Sequence, residues 1–225
     1  MSSSAENLSR WQPVPLPDSV TLVGRWVTLE PLSYAKHTHE LWTAVVGHDE
    51  VWAYLGDGPY QREEELATAL ETKQTGLAAR FFAILPASSS VAEGYASLMR
   101  MDPSNGVIEV GNVMFSPALQ RTPAATEAMF LMARYVFEEL GYRRYEWKCN
   151  ALNEPSRRAA ERLGFTFEGV FRQHMVIKGQ NRNTAWYSML DSEWPVRKEA
   201  FEAWLTPENF DANGRQKQSL VSFRG

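Results

Sequence analysis

Residues 107–140 constrain the fold of this chain more than any other stretch. Val107-Ile-Glu-Val-Gly-Asn-Val-Met-Phe reads as a buried strand. Residues 123–140 then repeat apolar side chains at helical spacing, with Ala125, Met129, Met132, Val136 and Leu140 on one face and Glu127, Arg134 and Glu138 away from it. In the turn between them, Thr122 is a good N-cap and Pro123 suits the first helical position. A strand feeding straight into such a helix end points the free N–H groups of Ala124, Ala125 and Thr126 out along the positive end of the macrodipole. That end can hold an anion, or it can simply be a well-capped joint.

The other elements set the class. Strand-like residues near 20–29 precede helical spacing over 33–46 and 62–75. Short strands follow over 81–85 and 94–101, then a hairpin turn at Asp102-Pro-Ser-Asn-Gly, with Gly111 a candidate bulge in the strand beyond. After the long helix come a strand over 144–149, a helix over 154–163 stopped by Gly164, strands over 167–177 and 184–190, and a helix over 195–204. Two helices, antiparallel hairpins, then strand–helix–strand–helix–strand make a mixed α/β order without the alternation of a doubly wound sheet. Residues 1–19, with Pro13, Pro15 and Pro17, read as an extended arm that Trp11 can anchor. Residues 20–194 read as the domain, and 195–225 as a terminal helix and tail.

Composition narrows the function. A chain of 225 residues, 44% hydrophobic, can bury one good-sized core. The formal net charge of −4 lacks the basic footprint of a nucleic-acid binder. Cys149 is the single cysteine, so an internal disulfide and a Cys-based metal site are both excluded. No apolar run approaches the ~20 residues of a membrane span, and the first residues lack the pattern of a secretion signal. The expectation is a cytoplasmic protein without nucleic-acid or membrane partners. His37, His39, Glu40 and His48 cluster in sequence but not at the spacing of a metal-binding helix, so no metal is expected.

Gln120-Arg-Thr-Pro-Ala-Ala, and the longer run from Glu109 to Ala128 around it, resemble the pyrophosphate-binding motif of GNAT acetyltransferases, in the RimJ/RimL-like branch. Asn150-Ala-Leu-Asn-Glu-Pro-Ser, followed by Leu-Gly-Phe, resembles the second landmark of that family. The resemblance runs from about Leu22 to Trp194. It implies a central twisted, mostly antiparallel sheet with one splayed parallel pair, flanked by helices. It implies acetyl-CoA as cosubstrate and a primary amine as acceptor, either a protein N-terminus or a small molecule, with a homodimer left open. Carried over residue by residue, Asn112, Val113, Met114 and Phe115 would form the splayed edge. Gln120, Arg121, Thr122, Ala124, Ala125 and Thr126 would hold the pyrophosphate, and Asn153 and Ser156 would contact CoA. Ser156 would stand near the thioester sulfur.

Two departures stand out. Pro123 replaces a motif glycine and removes one donor, and Ala160 stands where many members carry a general-acid tyrosine. Both keep open a non-catalytic acyl-CoA-binding module on the same fold. The base expected from the family is Glu168, with Glu109 as the alternative or a water-relay partner. Trp42, Trp52 and Tyr54 can wall an acceptor pocket or pack in the core. His174 can line that pocket or be an ordinary sheet residue. Cys149 carries no motif for a nucleophile.

Overall fold

The computed structural model describes residues 8–212 and 214–224. The serines that open the proposed arm lie outside them. Eight strands form one sheet in the order β1-β2-β3-β4-β5-β6-β8-β7. In chain order these are β1 (Leu22–Val23), β2 (Val27–Pro31), β3 (Ala79–Pro86), β4 (Gly94–Asp102), β5 (Val107–Phe115), β6 (Arg144–Asn150), β7 (Thr166–Ile177) and β8 (Gln180–Leu190). The helices are α1 (Tyr34–Val45), α2 (Glu63–Thr75), α3 (Pro123–Arg134), α4 (Glu154–Leu163) and α5 (Trp194–Trp204). All neighbouring strands pair antiparallel except β5 and β6, which are parallel. That pair needs a crossover, and α3 supplies it.

Each face of the sheet has its own core. Ile108, Val110, Tyr145 and Trp147 face α3 and α5, where Met129, Met132 and Phe201 meet them. Ala83, Leu85, Tyr95 and Met114 face α1 and α2, against Leu41, Leu66 and Leu70. β5 therefore changes sides along its length. Side chains alternate with period two, so Ile108, Val110 and Met114 should share one face, and they do not. The extra residue sits where Tyr95–Ser97 of β4 opposes Gly111–Met114 of β5. Asn112 takes the left-handed conformation there, at φ 50°. Asparagine tolerates that region better than most residues, so the bulge falls one position past the expected Gly111.

Helix ends follow the sequence cues. Ser33, Thr122 and Asn153 each accept a backbone N–H in the first turn of α1, α3 and α4. Gly164 closes α4 at φ 102°. The α3 helix is not continuous to Leu140: a π-helical turn at Tyr135–Glu139 carries the chain out of it. The described part of the arm lies along the domain, with Trp11 Nε1 donating to the Ser104 carbonyl at 2.8 Å and the Asp18 N–H to Tyr135 Oη at 3.0 Å.

Glu127 differs from its expected solvent-facing position. It is 5% exposed, and its carboxylate accepts the N–H groups of Arg25, Trp26 and Val27 at 3.0, 2.5 and 3.0 Å. The tight turn between β1 and β2 leaves those amides without strand partners, and one α3 carboxylate serves all three. Replacing Glu127 with Ala strands them, at ~1–3 kcal/mol for each buried unsatisfied group. Differential scanning calorimetry should show a fall in Tm of roughly 6 °C or more for Glu127→Ala, and a smaller fall for Glu127→Gln, which keeps one acceptor oxygen.

Candidate active site

The β5–β6 pairing ends at Val110 and Trp147. Beyond it β5 continues to Phe115 against β4, and β6 continues to Asn150 against β8, no longer paired with each other. The strands part where the Asn112 bulge bends β5. Gly111, Asn112, Val113 and Phe115 line one wall of the resulting gap, and Lys148, Cys149 and Asn150 the other. The gap belongs to a cavity of about 1080 Å³, large enough for a cofactor-sized ligand. Met114 does not line it: the bulge turns its side chain into the α1/α2 core.

At one end the cavity meets the start of α3. Thr122 Oγ1 accepts from the Ala125 N–H at 3.1 Å and donates to the Leu119 carbonyl at 2.7 Å. Thr126 N–H reaches back to the Thr122 carbonyl at 3.4 Å. The expected free amides are thus partly used by the helix itself. Among the described residues, the N–H groups of Arg121, Thr122 and Ala124 have no protein acceptor. Arg121 sits at φ 63°, a costly conformation for a residue with a side chain, and it shapes this turn. Gln120 lines the cavity, but its side-chain amide is tied to the Phe115 carbonyl at 3.0 Å. Arg158, Arg162 and Arg215 also line the cavity. Arg162 donates to Thr126 Oγ1 at 3.1 Å and stacks over Trp204. Burial lowers its pKa below the usual arginine range. Sequence reasoning missed these arginines; the i, i+4 spacing of Arg158 and Arg162 on α4 was the available signal. Arg215, from the tail, offered none.

The start of α4 forms a second wall. Asn153 Oδ1 accepts from the Ser156 N–H at 3.1 Å, which is capping geometry. Ser156 Oγ accepts the indole N–H of Trp147 at 3.0 Å. Trp147 is donor only, so the serine proton points elsewhere; the neighbouring Cys149 thiol is one partner for it, and that hydrogen bond works against the effect of burial on the thiol. Cys149 lies in the same wall, and burial raises its pKa. That is the reverse of an activated thiolate.

The two candidate glutamates separate. Glu168 does not line the cavity. Arg144 grips it with two hydrogen bonds, at 2.8 and 2.5 Å, and Ser188 Oγ donates to it at 2.7 Å. The Arg144 guanidinium lowers its pKa. An ion-paired carboxylate outside the cavity is a poor base. Glu109 lies in the cavity and is 5% exposed. Lys148 Nζ stands 3.0 Å and Arg100 Nε 3.2 Å from its Oε2, although neither makes a well-aligned hydrogen bond to that oxygen. Burial raises the Glu109 pKa, outweighing the lowering by Lys148 and Arg100.

Of the three early aromatics, only Tyr54 lines the cavity; its hydroxyl donates to the Leu152 carbonyl at 3.1 Å. Trp52 is buried edge-on against Tyr60, and Trp42 packs in the α1/α2 core. Lys178 donates to the Trp52 carbonyl at 2.9 Å, so residues 50–56 are pinned to both β7–β8 and the β6–α4 turn. His174 lines the cavity, with Nδ1 2.9 Å from Thr184 Oγ1. His37 is fully buried and accepts the Ser33 N–H at 3.1 Å, while His39 and His48 pair with Glu63 and Glu50 at the surface. No helix among the described residues is long and apolar enough to cross a membrane.

Residues 27–166 match the family described as "Acetyltransferase (GNAT) domain". A crystal structure of a GCN5-related N-acetyltransferase from Brucella melitensis superposes with a TM-score of 0.94 at 50% identity, covering 96% of this chain and 99% of that one. The Bacillus subtilis protein named "Uncharacterized N-acetyltransferase YnaD" is 25% identical over 75% of this chain and 98% of its own length. The one named "Putative ribosomal N-acetyltransferase YdaF", from the same organism, is 31% identical over 47% of this chain and 57% of its own length. The matched residues include β5, α3, β6 and α4, which wall the cavity, so the chain belongs to the GNAT acetyltransferase family, and its relatives are consistent with the RimJ/RimL-like branch.

Proposed function

We propose that this enzyme transfers the acetyl group of acetyl-CoA to a primary amine by direct attack. The observation that carries the reading is the placement of Glu109, a desolvated carboxylate, in the same cavity as Ser156 and the α3 start. The site suits the cosubstrate. The unpaired N–H of Arg121, at the positive end of α3, with Arg158, Arg162 and Arg215, offers a donor and positive charge to phosphates; Thr122 and Ala124, whose N–H groups are also unpaired, do not themselves line the cavity. The open edge of β5 offers backbone groups to the pantetheine arm and to the thioester oxygen as it gains charge.

The amine arrives largely as ammonium and must lose a proton before its lone pair can attack. Glu109 takes that proton, directly or through water. The C–N bond forms at the thioester carbon and the C–S bond breaks; the nitrogen gives up its second proton, which the Ser156 hydroxyl relays to the leaving thiolate, so that CoA leaves as the thiol and Ser156 ends neutral. Ser156 therefore does the work that Ala160 cannot.

Three outcomes test this reading. Glu109→Gln should lower kcat by about a hundredfold or more, the usual scale of general-base catalysis. It should also remove the acidic limb of the pH–rate profile. Because the Glu109 pKa is raised, that limb lies above the ordinary carboxylate range, with activity lost as pH falls through it. Glu168→Gln should keep both the limb and kcat, and a reversed pattern would return the role to Glu168. In steady-state kinetics, Ser156→Ala should lower kcat more than it raises KM for acetyl-CoA; a change in KM alone would make Ser156 a binding residue only. Acetyl-CoA should raise the Tm of the wild-type chain, as any ligand of the folded state does, and Ala125→Glu should abolish the shift by setting a carboxylate against phosphate.

A further inference from the structure

We propose that the acceptor carries an acidic group as well as its amine, and that Arg182 on β8 binds that group; the inference rests on the acetyl-transfer reading above. Lys148, Thr184, Trp186 and Arg182 share one side of the sheet, since Lys148 pairs with Trp186 across β6–β8 and alternate β8 residues point the same way. This is the side of Glu109, away from α3. Arg182 lines the cavity beside His174, Met175 and Thr184. The four arginines at the phosphate end come from other elements: the α3 turn, α4 and the tail.

Ion pairing on this wall is otherwise nearly complete. Lys148 is held by Glu109 and Glu146, at 3.0 and 2.6 Å, and sits over the Trp186 ring. Arg100 is paired with Glu109. Glu146 is also paired with Arg144. Glu50, at the rim, pairs with His48. Arg182 differs from all of these. Its Nε donates to Thr184 Oγ1 at 3.2 Å, and among the described residues no carboxylate pairs with its guanidinium. It is only partly exposed, and burial lowers its pKa. The carboxylate that acts on it, Glu109, does so from beyond ion-pair distance and is already shared by Lys148 and Arg100, and a partly desolvated cation so placed is destabilising unless a ligand supplies the anion.

The neighbouring groups fix the geometry of recognition. Thr184 Oγ1 accepts from Arg182 Nε and lies 2.9 Å from His174 Nδ1, to which its hydroxyl donates when the ring is neutral with its proton on Nε2. The His174 pKa is lowered, by burial first and then by the charges of Arg100, Arg182 and Lys148, which favours the neutral ring. The Arg182 nitrogens not used by Thr184 remain for two parallel hydrogen bonds to a carboxylate, the arrangement guanidinium favours. An acceptor with its amine at Glu109 and its acid group at Arg182 would span this wall.

The test measures thiol release with matched acceptors. One series sets glycine, β-alanine and 4-aminobutyrate against their carboxamides. A second sets short peptides with glutamate at the second position against those with glutamine. The expected result is a kcat/KM at least ~10-fold higher for the acid member of one or more pairs, the lower end of what a hydrogen bond to a charged group contributes. Arg182→Gln should bring that ratio close to one, and Arg182→Lys should restore part of it, with both variants checked for folding by their Tm. Equal or better use of every neutral member overturns the inference. So does a preference that survives in Arg182→Gln, or acetyl-CoA binding without turnover of any acid acceptor. If the wild-type chain fails to bind acetyl-CoA at all, the acetyl-transfer reading itself falls.

Discussion

The parting of β5 from β6 after Val110 and Trp147 is the constraint on which the rest of the site depends. Strands that leave each other inside a sheet expose unpaired backbone groups, which is costly unless a ligand or water satisfies them. Here the Asn112 bulge bends β5 away, and β6 is held straight by seven residue pairs with β8. The same extra residue moves Met114 into the α1/α2 core and brings Val113 and Phe115 to the α3 side. One left-handed residue thus anchors two cores and opens the gap between them.

Charge is organised around that gap. Arg100, Glu109, Lys148, Glu146, Arg144 and Glu168 form a continuous chain of ion pairs across β4, β5, β6 and β7. Taking so many charges out of water is expensive, and good mutual geometry offsets the expense only in part. The two ends of the chain behave in opposite ways. Glu168 is gripped by a two-pronged guanidinium and its pKa falls, whereas Glu109 is more deeply buried, less well hydrogen-bonded, and its pKa rises. Two carboxylates in one network thereby acquire different chemistry, one from the guanidinium that grips it and the other from burial.

The chain termini contribute more than their composition suggests. Residues 9–18 run along the domain through Trp11 and Asp18. Trp204, Phe210 and Arg215 reach the cavity beyond the region matched by the family, closing the end where Arg162 stacks. The end of the cavity at the α3 start is thus built partly from the tail.

The sequence by itself determined the local events. Thr122 before Pro123, Asn153 before Glu154 and Gly164 after Leu163 fixed both helix starts and one stop, because capping is decided within a few residues. The spacing of Ala125, Met129 and Met132 marked α3 as a helix, although the structure buries every residue of it from Ala124 to Ala133. The resemblance carried by 120–125 and 150–156 then named the family and the cavity walls. What only the tertiary structure decided was sidedness and partnership. Glu109 and Glu168 both read as strand glutamates, and nothing near either of them in sequence says which one Arg144 will reach. Glu127 read as a surface residue until the β1–β2 turn arrived with three unpaired amides. Arg182 carried no signal at all, because what distinguishes it is the absence of a partner, and partners are assigned by register between strands far apart in the chain.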